Sequence, residues 1–370
     1  MSLPGPGADD LAGAARRAAA VVSVPKAAPP DSFVLHAPLE IVARVGLVPL
    51  VRRDRRADAI AMIGLIADRY AAAGDPIEVP AGAAEPGVAR LLGALRAGAV
   101  DEADRVAIAL LPGMTPVDAG RLVREPVITA LAAAGHAPIG FALLQRVEPA
   151  MPATLLHGAL RAIAADPGQQ VSWHRSAAPT SAPTAGDAGA LGRAVAATPR
   201  LGRPAVDFVL PIMAQVQDAG VASELLAPVI TDHYDPGAAR DTLTRIAAWS
   251  MLYDDPAEAP YGWSHLLTMP QAVMAFTGPD PRTALAVAAT FTVGFRAAYG
   301  TVDLPEVVGE IDATDATDAS WEELATAAAL HHDAHLVKHT LAAHHAAADD
   351  PACAGLYRAA AARLVEHWGA

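Results

Sequence analysis

Histidine is the residue on which any chemistry of this chain must turn. Thirteen occur in 370 residues, and six of them fall between His331 and His345. The densest part reads His331-His332-Asp333-Ala334-His335-Leu336-Val337-Lys338-His339. Residues three and four apart are neighbours on a helix, so His331, His335 and Lys338 would share one face, with His332 and His339 on an adjacent stripe. Leu330, Leu336, Val337 and Leu341 make an apolar stripe beside them, which predicts a partly buried helix. Buried imidazoles need partners, and a metal ion is one way of supplying them. Three further histidines have apolar flanks: His36 in Phe33-Val34-Leu35-His36-Ala37-Pro38, His157 in Leu155-Leu156-His157-Gly158, and His265 in Trp263-Ser264-His265-Leu266-Leu267-Thr268. Singly, each reads as a hydrogen-bonded core histidine. Beside the His-rich helix, they suggest ligands. Imidazole suits iron, zinc, copper or nickel, so the donors by themselves do not name the metal, and His331, His332 or His339 could stand in for any of them.

Other chemistries lack their marks. Neither G-x-G-x-x-G after a strand nor G-x-x-x-x-G-K-[ST] occurs, so no dinucleotide or phosphate loop is signalled and no dedicated NAD(P)H site is expected. Gly262-Trp263-Ser264-His265 lacks the second glycine of a nucleophile elbow, and there is neither H-E-x-x-H nor E-x-x-H. His332-Asp333 is the dipeptide of the HD phosphohydrolases, but no upstream histidine lies between His265 and His331. Cys353 is the only cysteine, which precludes an intramolecular disulfide and fits a reducing cytoplasm. The net charge is −13, and the one basic run, Arg52-Arg53-Asp54-Arg55-Arg56, reads as a solvated helix end rather than a nucleic-acid footprint. A mean hydropathy of +0.28 raises the question of a membrane. The apolar runs, such as Leu39–Val51 and Ala284–Val293, fall short of the ~20 residues of a span, so neither nucleic acid nor membrane is expected as a partner.

The elements that must position these residues are helical. Hydrophobic residues reach 53% while aromatics are only 5%, so alanine, leucine and valine dominate, and alanine is the best helix former. Helical periodicity recurs from end to end, and alternating strand patterns are scarce. The expectation is an all-α fold: a single large multi-helix domain with a metal site between helices. Residues 1–30 read as a flexible start and 31–370 as the catalytic domain, interrupted by a Pro/Ala-rich loop at 177–187. Pro38 is placed for a first helical turn before Leu39, Val42, Ala43 and Leu47. Further helices are expected over 116–134, restarting near Pro138, then over 153–165, 205–216, 236–251, 264–276, 281–298, 320–348 and 351–367. Ser320-Trp321-Glu322-Glu323 has the capping-box pattern that would start the long His-bearing helix.

The histidine motifs, taken in order, resemble those of the questin oxidase-like family. Asp333-Ala334-His335-Leu336-Val337-Lys338-His339-Thr340 is similar to the C-terminal motif of that family, and Leu35-His36-Ala37-Pro38, His157-Gly158 and His265-Leu266-Leu267-Thr268 resemble its other motifs. The likeness runs from about Asp31 to about Ala343. It implies a helical fold and an oxygenase that opens a ring of an anthraquinone-like aromatic polyketide, with a small aromatic substrate and dioxygen as partners. It also implies a mononuclear non-haem Fe(II) held by four histidines and an N-carboxylated lysine. Carried over, these are His36, His157, His265, His335 and Lys338, with His335 and Lys338 at the catalytic centre. A protonated ammonium has no lone pair to offer a metal, whereas a neutral amine can add carbon dioxide and become an anionic carbamate. Tyr261, Trp263, Met269 and Phe291 are the aromatic and soft side chains that would line the substrate pocket. The same histidines could instead serve a metal-dependent hydrolase, with water as the nucleophile.

Overall fold

The computed structural model describes residues 8–26, 33–79, 87–175, 188–206, 208–230, 234–276, 281–305 and 317–369, and among them it is all-α, without a strand. In chain order the helices are α1 (Ala8–Val22), α2 (Phe33–Leu47), α3 (Arg56–Ala72), α4 (Val88–Ala97), α5 (Val100–Leu110), α6 (Pro116–Leu122), α7 (Arg124–Thr129), α8 (His136–Arg146) and α9 (His157–Ala165). They continue as α10 (Ala188–Ala196), α11 (Val209–Asp218), α12 (Val221–Leu226), α13 (Pro236–Tyr253), α14 (Ser264–Met274), α15 (Pro281–Tyr299), α16 (Trp321–Leu330), α17 (Ala334–Asp349) and α18 (Ala354–Trp368).

By its internal contacts the chain divides into two compact units: Met1–Gln170 with Ala325–Lys338, and Val171–Leu324 with His339–Ala370. In the N-terminal unit α1 packs on α2 and α3, α2 packs on α8, and α5 packs on α4 and α9. In the C-terminal unit α13 packs on α14, α15 and α18, while α11 and α12 lie against α15. The Pro/Ala-rich stretch 177–187 lies outside the described residues.

Several boundaries differ from those the sequence suggests, each for a physical reason. The expected flexible start contains α1, whose Leu11, Ala14, Ala15, Ala18, Ala19 and Val22 are buried. Helix α2 begins at Phe33, so Pro38 sits inside it. The helix survives the missing amide because Ala37, Leu39, Ile41 and Val42 are all buried around it. By length and composition alone Phe33–Leu50 would suffice to cross a membrane, yet 67% of it is buried within the protein and it carries the Glu40–Arg44 ion pair. The stretch expected as one helix over 116–134 is α6, α7 and a 3-10 turn.

The long helix expected over 320–348 is two helices. Its start is as expected: Ser320 N donates to Glu323 Oε2 at 2.8 Å and Glu323 N to Ser320 Oγ at 3.2 Å, a closed capping box. It stops at Leu330 because Arg44 Nη1 donates to Ala329 O and Nη2 to His331 O, each at 2.5 Å, satisfying carbonyls that would otherwise seek the next turn. Helix α17 then starts afresh, capped by Asp333 Oδ1, which accepts from His335 N at 2.7 Å. His331 and His332 are therefore outside the helix, and His331 does not share a helical face with His335 and Lys338.

Candidate metal centre

Three histidines of the N-terminal unit converge. His36 comes from the first turn of α2, His136 opens α8 and His335 lies in the first turn of α17. One ligand nitrogen from each lies within 4.8 Å of the others. The His36 ring is centred 4.4 Å from that of His136 and 4.8 Å from that of His335, edge-on in both cases. Two of the rings are turned by oxygens behind them. Asp333 Oδ1 lies 3.1 Å from His335 Nδ1, and the Ala133 carbonyl accepts from His136 Nδ1. Each contact leaves Nε2 as the atom a metal would engage, the usual arrangement behind metal-bound imidazoles.

The approach to His136 is strained. Ala133 and Ala134 have φ of 49° and 57°, and Gly135 follows at 69°. Glycine tolerates that region, but each alanine pays for its Cβ by roughly 1–2 kcal/mol. The result is a tight turn that delivers His136 at the head of α8 with its Nδ1 folded back on the Ala133 carbonyl.

Behind the imidazoles lies a buried layer of charge. Glu40, one turn beyond His36, is 2% exposed, and its Oε1 accepts from Arg44 Nε at 2.8 Å and Nη2 at 2.5 Å. Burial raises the Glu40 pKa, and the Arg44 charge opposes it. Lys338, one turn beyond His335, is 2% exposed, and Nζ has no hydrogen-bond partner among the described residues. Burial pushes it down to about 7 against the pull of Asp333 and Glu40. A substantial fraction of the amine is thereby neutral near pH 7, the form that can react with carbon dioxide or donate a lone pair.

Of the ligands suggested by sequence, His36 and His335 belong to this cluster and Lys338 is adjacent to His335 along α17. His157 does not join them: its Nε2 lies 2.9 Å from Asp104 Oδ1, and Arg161 Nη1 donates to the other oxygen of the same carboxylate. His265 belongs to the C-terminal unit, where its Nδ1 donates to Tyr261 O and its ring stacks on Phe295 at 6.3 Å. Of the alternative ligands, His339 is fully buried and burial lowers its pKa to about 4, while His332 is exposed. His136 is the member that sequence reasoning missed. The signal was Gly135-His136-Ala137-Pro138, a glycine able to take positive φ immediately before a histidine that starts a helix.

Next to the cluster is a cavity of about 420 Å³ in the N-terminal unit, and His136 is in its wall. Val34, Leu39, Val42, Leu144 and Leu155 make most of the surface apolar, and Lys26, Tyr70, Arg161 and Asp166 add polar atoms. A site of this size and character suits a small, largely apolar molecule. The aromatic and methionine side chains picked out by sequence are elsewhere: Trp263, Met269 and Phe291 are fully buried in the C-terminal unit, and Tyr261 is 59% exposed. Trp263 and Tyr261 belong to a short π-helical turn, Ala259–Trp263, that leads into α14.

Comparison of the chain with protein-family models, with curated proteins and with solved structures finds no match.

Proposed function

We propose that this chain is a non-haem iron-dependent oxygenase that opens a ring of a small aromatic substrate of the anthraquinone-like polyketide class. The observation that carries the reading is the convergence of His36, His136 and His335 with His136 in the wall of an apolar cavity. The order of histidine motifs in the sequence gives it the reaction class.

The donor set fits a mononuclear divalent metal. His36, His136 and His335 would hold it as three neutral imidazoles, and Lys338, once carboxylated, would add the anionic oxygen that they lack. Iron bound there would supply the activation of dioxygen. The chain's own part is positional. Asp333 and the Ala133 carbonyl hold two imidazoles by Nδ1, the strained turn before α8 fixes the third element in place, and the apolar wall keeps water from an adjacent substrate. Glu40 and Arg44 stabilise the backbone on which His36 and His335 are mounted, rather than touching the metal.

A second reading rests on the same donors. Three imidazoles are also the ligand set of a catalytic zinc, which would activate water for hydrolysis. Anaerobic reconstitution with ferrous ion, followed by metal analysis, tests the first reading. The wild-type protein should hold equimolar iron, His36→Ala, His136→Ala and His335→Ala should lose it, and His157→Ala should retain it. Normal iron in His136→Ala would sink the assignment. Labelled dioxygen should appear in the product, whereas label from water alone would favour hydrolysis. Bicarbonate should promote iron loading of carbonate-depleted wild type and leave Lys338→Ala unaffected.

A further inference from the structure

We infer that the cavity of the N-terminal unit takes an apolar ligand bearing one acidic group, and that Arg161 is the residue that binds that group. The inference deepens the oxygenase reading only in naming the substrate's chemistry; the binding itself needs no metal.

One wall of the cavity is α9, and it is cut back along its length. Gly158, Ala159, Ala162 and Ala165 face the space, and a Cβ added at Gly158 would meet nothing within 4 Å. Arg161 is the one long side chain that this helix turns to the cavity. It does not lie there loosely. Its Nη1 donates to Asp104 Oδ2, and Asp104, with a side chain only 1% exposed, is held on its other oxygen by His157 Nε2 at 2.9 Å. A guanidinium has five donors in a fixed fork. The Asp104 contact anchors one edge, and the remaining donors have no acceptor among the described residues, although the side chain is only 27% exposed. That is a donor edge held ready for an acceptor, and His157 serves it as a buried brace through Asp104.

Charge decides which acceptor. A second cation, Lys26, is also in the wall and 8% exposed. Its Nζ donates to Ala71 O and Gly74 O, each at 2.6 Å, and among the described residues no carboxylate pairs with it. The lining carboxylate, Asp166, is exposed, so solvent screens it. Asp104 balances the charge of Arg161, so the uncompensated charge in the wall is that of Lys26, and the apolar walls strengthen its field. A neutral carbonyl would accept one hydrogen bond and leave that field uncompensated. A carboxylate or an ionised acidic phenol would meet the arginine fork with two oxygens or a full charge, while its apolar body lies along Leu39 and Leu144 toward His136.

The test is calorimetric titration of metal-free protein with 2-naphthoate and with its neutral counterpart, 2-naphthalenemethanol. Without metal, no carboxylate can be drawn in by the proposed centre, and the binding and metal readings fail independently. Wild type should prefer the carboxylate by roughly tenfold or more, the range of a charge-assisted hydrogen bond. Arg161→Gln should abolish the preference by weakening naphthoate far more than the alcohol, and Arg161→Lys should keep part of it. Ala162→Trp should exclude both probes while retaining the helical circular dichroism of the wild type. Equal affinity for the two probes, a preference that survives Arg161→Gln, or no binding of naphthoate would each overturn the proposal.

Discussion

Replacing Arg44 by methionine removes the charge that holds three structures together while keeping most of the stem's volume. Arg44 is fully buried and makes two hydrogen bonds to Glu40 and one each to the carbonyls of Ala329 and His331. The substitution strands a carboxylate that is 2% exposed and takes the donors from two carbonyls at the end of α16. Removing one partner of a buried ion pair costs about 3–5 kcal/mol, equivalent to a fall in melting temperature of roughly 6–20 °C for a unit of this size. The cost should be smaller at low pH. Burial already raises the Glu40 pKa, and without Arg44 it rises further. The folded state then holds a proton that the unfolded state releases above its ordinary 4.5. This contribution is present in full below that pH and disappears as pH climbs through the folded value. Circular dichroism melts of Arg44→Met at about pH 5 and about pH 8 read the difference. The double variant Glu40→Leu/Arg44→Met should recover at least half of the loss, since a buried pair replaced by apolar groups is close to neutral. A loss below about 1 kcal/mol for the single variant, or no recovery in the double, would refute this account of the buried layer. Because the two carbonyls precede His335, the single variant should also bind iron more weakly than wild type.

Lys338 should leave a signature in metal-free, carbonate-depleted protein. Its folded pKa of about 7 lies below the ordinary 10.5, so the penalty for burying its charge is full below pH 7 and fades as pH approaches 10.5. Stability should therefore rise by about 3 kcal/mol between about pH 7 and 9.5, and Lys338→Met should abolish the rise; an unchanged pH profile in the variant would refute it. Ala133→Gly and Ala134→Gly should each stabilise the protein by roughly 0.5–1 kcal/mol in urea titrations, the relief of positive φ outweighing the entropy of an added glycine. Destabilisation by either would show that the turn is not strained.

The fold class was legible because it depends on composition and periodicity, which are local. Helices such as α13 and α15 follow from apolar spacing and a proline at the first turn, Pro236 and Pro281. The breaks were not legible, because their causes are remote in sequence. Only part of the stop of α16 is local, where Asp333 N donates to His331 Nδ1 at 3.0 Å; the carbonyl of Ala329 is held by the guanidinium of Arg44, some 285 residues away. The helix resumes through Asp333, whose capping role has a local pattern, but the hydrophobic stripe through Leu330, Leu336 and Val337 reads across the gap as though unbroken.

The site divides along the same line. His36 and His335 stand out because apolar neighbours surround a residue that needs polar partners, and burial of an imidazole always demands an explanation. That argument cannot separate a metal from a carboxylate. His157 has the same apolar flank as His36, and what answers it is Asp104, 53 residues upstream, a pairing no single sequence displays. His136 failed to stand out for the opposite reason. The preceding Ala132-Ala133-Ala134 favours a plain helix, yet two of those alanines occupy the left-handed region that alanine disfavours. The turn is packed as well as strained, with Ala132 and Ala134 buried and the turn lying against α8 and α9. The same turn sets the His136 ring against His36 with its Nδ1 held by the Ala133 carbonyl, so the strain falls where the imidazoles meet.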